Sequence, residues 1–276
     1  MRAPITATGS ILALTLTATV GAAVAPGRAA ADEADVADTD GGEVHEARLT
    51  VPEKRIVVHA LLELSLSDQS AFDPISVAPD IWYGATPALT VGLVHSSEAM
   101  TGVIGLSGDG ICVGDGCAGA YDRLGLLARY HLLSGPVTVA LDGGFLARSF
   151  DPFSLSLKVG AVARWRRDKL TVEASPNLLI GMSARDRGNG EWIDLPVAAT
   201  YTLHPRVAAV GQLAMMSPTD HFHRQVVIAA SIGAQLLATR DLLVDVVFSL
   251  PHWLDTNIHT YGLDARTLTF GVVRAF

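Results

Sequence analysis

His95-Ser96-Ser97 sets an imidazole two residues before a hydroxyl. In an extended chain that spacing puts both side chains on one face. A histidine so placed can act as base to a serine nucleophile, provided a carboxylate orients the ring. Parity nominates Asp122: Leu89, Val91 and Leu93 share a face with His95 and Ser97, and Leu124, Leu126 and Ala128 share one with Asp122 on the next extended segment. The competing reading is three ordinary polar residues where a strand ends. Cys112 and Cys117 enclose four residues, two of them glycine, which favours a small disulfide-closed ring over a reactive or metal-binding pair. Asp109-Gly110 and Asp115-Gly116 read as turns rather than a Ca²⁺ loop. Asp220-His221-Phe222-His223 has no third ligand, so no metal is expected. Gly105, Gly108 and Gly110 precede no helical pattern and make no phosphate cradle. No cofactor is implied.

The elements that must carry these residues are strands. Period-2 alternation recurs over 56–66, 75–83, 88–97, 121–133, 137–148, 154–166, 169–183, 192–203, 206–217, 224–238, 241–252 and 265–276. Most are ten residues or longer, enough for a tilted strand to cross a bilayer. Tight connections rich in Gly, Pro and Asp (84–87, 134–136, 167–168, 204–205, 239–241) alternate with generally longer ones (67–74, 98–120, 149–153, 184–191, 218–223, 253–264). Short inner turns and longer outer loops are the pattern of a membrane barrel. The fold expected is therefore all-β, a transmembrane antiparallel up-and-down barrel of twelve strands.

Two observations put the apolar face outside. Faces such as Leu155, Leu157, Val159, Ala161, Ala163 carry no polar interruption. The opposite parity holds six acids (Glu63, Asp80, Asp142, Glu173, Asp194, Asp245) and five bases (Arg123, Arg129, Arg148, Lys158, Arg164), as a hydrated lumen with internal ion pairs would. Tyr83, Tyr130, Trp165, Tyr201 and Phe276 end downward strands on the apolar parity, which forms an aromatic girdle at one interface. Trp192 and Trp253, near the long-loop ends, are candidates for the other girdle.

The termini fit this address. Arg2, an apolar run from Ile11 to Ala25 and Ala29-Ala30-Ala31 read as a signal peptide over 1–31, with cleavage after Ala25 as the competing site. Residues 32–46 carry seven acids and no base, and read as a disordered leader. Set aside with the two signal arginines, they leave only −3 of the chain's −8 on residues 47–276. A nucleic-acid surface is not supported.

The final strand alternates to its last residue, Phe276, and in this the chain resembles outer-membrane β-barrels of Gram-negative-type cells. The resemblance implies outer-membrane lipid as surroundings and the barrel assembly machinery as a partner through the C-terminal strand. The His-x-Ser at His95 and Ser97 also resembles the site of outer-membrane phospholipase A and of lipid A deacylases, although Glu98-Ala99-Met100 replaces the Asn-Gly-type continuation. Three functions follow as expectations. Foremost is a narrow porin-like channel for small solutes; the alternatives are a lipid-directed hydrolase with Ser97, His95 and Asp122 on the exterior, and a non-conducting barrel that displays its loops.

Overall fold

The computed structural model describes residues 49–67, 71–105, 109–115, 117, 119–220, 222, 225–256 and 265–276. The expected signal peptide and acidic leader, both loop histidines (His221, His223), Gly108 and Gly116 lie outside them.

Fifteen strands are formed: β1 (Ile56–Ser65), β2 (Ile75–Gly84), β3 (Leu89–Val94), β4 (Gly110–Val113), β5 (Tyr121–Asp122), β6 (Leu124–Leu133), β7 (Val137–Phe150), β8 (Phe153–Arg167), β9 (Leu170–Ala174), β10 (Asn177–Gly181), β11 (Trp192–His204), β12 (Val207–Pro218), β13 (Val227–Thr239), β14 (Leu242–Asp255) and β15 (Thr267–Ala275). All pairings are antiparallel, and β1 pairs with both β2 and β15, which closes the cylinder. Closure leaves no open edge, as a lipid-embedded sheet requires. Strands β9 and β10 are one stave, interrupted at Ser175-Pro176, where proline has no N–H to give the ladder. Strands β4 and β5 belong to the β3–β6 connection. The wall is thus a closed barrel of twelve staves.

The alternation decides which side meets lipid. Ile232 is 68% exposed, Leu126 62%, Leu213 55% and Phe145 52%, while Asp80 and Lys158 are 1% and 2% exposed on the inner parity. Such continuous apolar exposure has no place on a water-soluble surface. The apolar face is the outer one.

Twelve strands enclose more space than wall side chains alone can fill, and the β3–β6 connection enters it. The sequence pattern runs the third strand to Ser97, but β3 stops at Val94. Ser96 there caps a five-residue helix, α1 (Ser97–Thr101), by accepting from Ala99 N at 3.0 Å. Gly102 ends it with φ +81°, and a Cβ at that position would come within 2.7 Å of Pro196 Cγ. Only glycine suits both demands. Where β3 leaves the wall, the connection's own ribbon replaces it: β4 pairs with the outer end of β2 and β5 pairs with β4. The Cys112–Cys117 disulfide staples this ribbon, with the two Cα atoms 5.8 Å apart.

The apolar core lies around the helix. Met100 packs with Val94, Leu127, Leu146 and Leu179, and Val103 packs with Ala214 and Ala229. Burying two such side chains stabilises the plug by about 1.5–3 kcal/mol each. At the short-turn end Leu49 packs on Ala140 and Val162, and Val51 N donates to Thr90 Oγ1 at 2.8 Å.

Candidate functional site: a plugged lumen

Residues 95–105 cross the lumen and are gripped from successive staves. Lys158 Nζ on β8 donates to Ala99 O at 3.3 Å, and Asn177 Nδ2 on β10 donates to Thr101 O at 2.8 Å. On β12, Gln212 Nε2 donates to Gly102 O at 2.7 Å while its Oε1 accepts from Ile104 N at 2.9 Å. Ser231 Oγ on β13 reaches Ile104 O at 3.4 Å, and Thr267 Oγ1 on β15 reaches Gly105 O at 2.7 Å. Where the chain leaves β3, Asp80 accepts from His95 N at 2.6 Å, from Ser96 N at 3.0 Å and from Ser96 Oγ. A segment that cannot pair in a sheet thereby satisfies its buried backbone with wall side chains.

The wall's own charges are largely neutralised across neighbouring strands. Arg129 and Asp142 sit directly opposite in the β6–β7 register and form a two-pronged pair at 2.6 and 2.9 Å, with Lys158 Nζ on the same carboxylate at 3.3 Å. Arg164 and Glu173 are opposite in the β8–β9 register and bond at 2.8 Å. His59 Nε2 lies 3.8 Å from Asp245 Oδ1, and Glu63 accepts from Ser76 Oγ at 2.8 Å. All but the His59–Asp245 contact, which reaches over β15, are cross-strand pairs in the geometry that stabilises sheets.

The plug divides the interior. The outer chamber, about 300 Å³, is lined by Ser97, Met100 and Thr101 of the plug and by Arg123, Arg148, Arg187, Trp192 and Asp194. Below it lie an inner chamber of about 220 Å³, bounded by Glu98 and Ala99 with Asp80, Arg129 and Lys158, and a mouth of about 490 Å³ at the short-turn end. The rim of the outer chamber includes the turn Arg185–Arg187, tied by an Arg185–Glu191 ion pair. The guanidinium beside it holds the Glu191 carboxyl below the ordinary carboxylate range.

His95, Ser97 and Asp122 are not brought together. Ser97 Oγ lies inside the barrel, where it accepts from Arg123 Nη1, and its backbone N–H is held by Asp109. His95 Nδ1 donates to Pro79 O, and its ring meets Tyr121 edge-on at 5.8 Å. Asp122 Oδ1 accepts from Phe150 N at 3.0 Å. Two backbone events undo the outward parity reading. The chain turns inward after Val94, and Arg123 takes φ +64°, so Asp122 no longer shares a face with Leu124. Arg123 itself points inward to pair with Asp109, which is a buried partner rather than a turn former.

Tyr83, Tyr130, Trp165, Tyr201 and Phe276 stand exposed at the short-turn ends of their strands. At the other end Trp253 is exposed with Tyr121, Phe150 and Phe153, whose rings follow one another at 5.6 and 6.2 Å. Trp192 is a correction: it faces the lumen, with the Arg148 guanidinium 5.9 Å from its ring centroid. No cluster of three metal-ligating side chains exists among the described residues.

No family model matches the sequence, and no curated protein matches it either. Among solved structures the chain is similar to the KdgM porin in complex with disordered oligogalacturonate, at 9% identity, with 80% of this chain and 99% of that one covered and a TM-score of 0.52. It is similar to the NanC porin at 8% identity, over 79% and 98% of the two chains, TM-score 0.54. An outer membrane channel from Pseudomonas putida F1 matches at 11% identity, over 85% and 99%, TM-score 0.52. The barrel has the fold of outer-membrane porins.

Proposed function

We propose that this chain is a narrow outer-membrane channel for small polar solutes, with Glu63, Asp80, Arg123, Arg129, Asp142, Arg148, Lys158, Arg164, Glu173, Asp194 and Asp245 as its charged lining. One observation carries the reading: polar chambers lie on both sides of a plug that is a single short helix, held by side-chain hydrogen bonds to its backbone. A barrel built only as a scaffold has no need to keep charged chambers at both ends. The porin neighbours support the reading through their fold. The exposed aromatics at the short-turn end would sit at a lipid headgroup boundary, and the last strand with Phe276 would be the part that the barrel assembly machinery handles.

Liposome swelling with neutral sugars of increasing size tests the proposal. A channel of this kind admits the smallest sugars and excludes larger ones at a sharp threshold. Swelling with none of them would leave a barrel that only displays its loops.

A further inference from the structure

The outer chamber holds two opposite charges that attract each other across it but form no direct ion pair among the described residues. Asp194 on β11 is 3% exposed, and its Oδ2 is buried without a hydrogen-bond partner among the described residues. Arg148 on β7 makes no ion pair among the described residues; its contacts are Asn189 Oδ1 at 3.5 Å and the Trp192 ring. Arg187 stands exposed at the rim of the chamber, and the other charges nearby are committed elsewhere. Arg123 holds Asp109 and Ser97, and Lys158 holds Asp142 and Ala99 O. Trp192 and Asp194 are two residues apart on one strand, so both face the chamber, and Trp192 backs the guanidinium by a cation–π contact. A buried carboxylate without partners is costly unless something supplies donors, and an unpaired guanidinium is a ready fork for a carboxylate.

We propose that the outer chamber is a binding subsite for small zwitterionic solutes of the amino-acid type, with the solute's carboxylate on Arg148 and its primary ammonium on Asp194. This rests on the channel reading and names the solute class that the subsite favours. A chamber of about 300 Å³ lies at the lower end of the range for small-molecule pockets. It takes a solute of this size and leaves little room for an oligomer. A solute with only a carboxylate satisfies Arg148 and leaves Asp194 unmatched, and one with only an ammonium does the reverse.

Calorimetric titration of the refolded full chain in detergent tests this with four matched probes: β-alanine, propionate, ethylamine and glucose. β-Alanine is expected to bind at least tenfold more tightly than each of the others. Asp194→Asn should bring β-alanine down to the level of propionate and leave propionate unchanged or tighter. Arg148→Gln should abolish the binding of propionate and bring β-alanine down to the level of ethylamine. Equal binding of propionate and β-alanine, tighter binding of glucose, or an Asp194→Asn variant that keeps the preference would overturn the assignment. Single-channel recording of the same preparations keeps the two readings separable. Conductance without β-alanine binding removes the subsite alone, and β-alanine binding without conductance removes the channel alone.

Discussion

Gln212 and Ile104 meet across the interior of the barrel: Ile104 N donates to Gln212 Oε1 at 2.9 Å, while the same amide group returns a bond of 2.7 Å to Gly102 O. One wall side chain thus satisfies both a donor and an acceptor of the plug. Replacing it by alanine removes two buried hydrogen bonds, each worth about 1 kcal/mol net, and leaves buried backbone groups unmatched. Gln212→Ala should therefore speed hydrogen exchange of the 99–105 amides by tenfold or more while the strand amides of β12 and β13 keep their protection. Uniform loss of protection across the barrel would contradict the division between wall and plug.

Gly102→Ala attacks the same segment from its backbone. The residue is in the left-handed region, which costs a side-chain-bearing residue about 1–2 kcal/mol, and the new Cβ would also press on Pro196. The expected outcome is faster proteolysis between β3 and β4 in a barrel that still migrates as a folded species in unheated detergent gels. Undiminished protease resistance would show that the plug does not depend on this cap.

Sequence alone was enough for all twelve staves and for the parity of the wall, because period-2 alternation with uninterrupted lipid faces is dictated by two different solvents on the two sides of a sheet. Arg129 opposite Asp142 and Arg164 opposite Glu173 follow from that parity once strands pair in register. The plug is not legible in the periodicity, because the strand pattern from Leu89 continues to Ser97, past the point where β3 ends. A signal was there: Ser96 as N-cap, Glu98 in the first turn and Gly102 at the end form a helix-boundary pattern. Asp122 failed for a different reason, since the left-handed backbone of Arg123 resets parity and no periodicity reports it. Nearness to a loop suggests a girdle position for Trp192, whereas its parity with Asp194 sends it inward.

Asp142 is the shared counter-charge of Arg129 and Lys158, and it is almost wholly buried. Asp142→Asn strips two cations of their partner, a change that costs about 3–5 kcal/mol when the groups are buried. Arg164→Gln breaks a pair that is nearly a third exposed on both sides, where solvent screening limits the loss to about 1 kcal/mol or less. Urea unfolding of both variants in lipid vesicles should separate them in that order. Equal losses would mean that the lumen screens both sites alike.

The Arg185–Glu191 pair gives the outer rim a pH dependence. Glu191 is depressed by its guanidinium partner, so the pairing is fully present above the ordinary glutamate range and is lost as pH falls through the lowered value. Limited proteolysis at 184–190 should be flat from neutrality down to the ordinary glutamate range and rise only below it. Glu191→Gln should show the raised rate at every pH. A rise already present near neutrality would contradict the assignment.

Single-channel recording in planar bilayers bears most directly on whether the plugged lumen conducts. The wild-type chain should give small, discrete current steps, and an Asn177→Ala/Gln212→Ala variant, with three of the plug's anchoring bonds removed, should give larger or flickering ones at the same lipid composition. Silent bilayers with both proteins, or steps of identical size from both, would contradict the account.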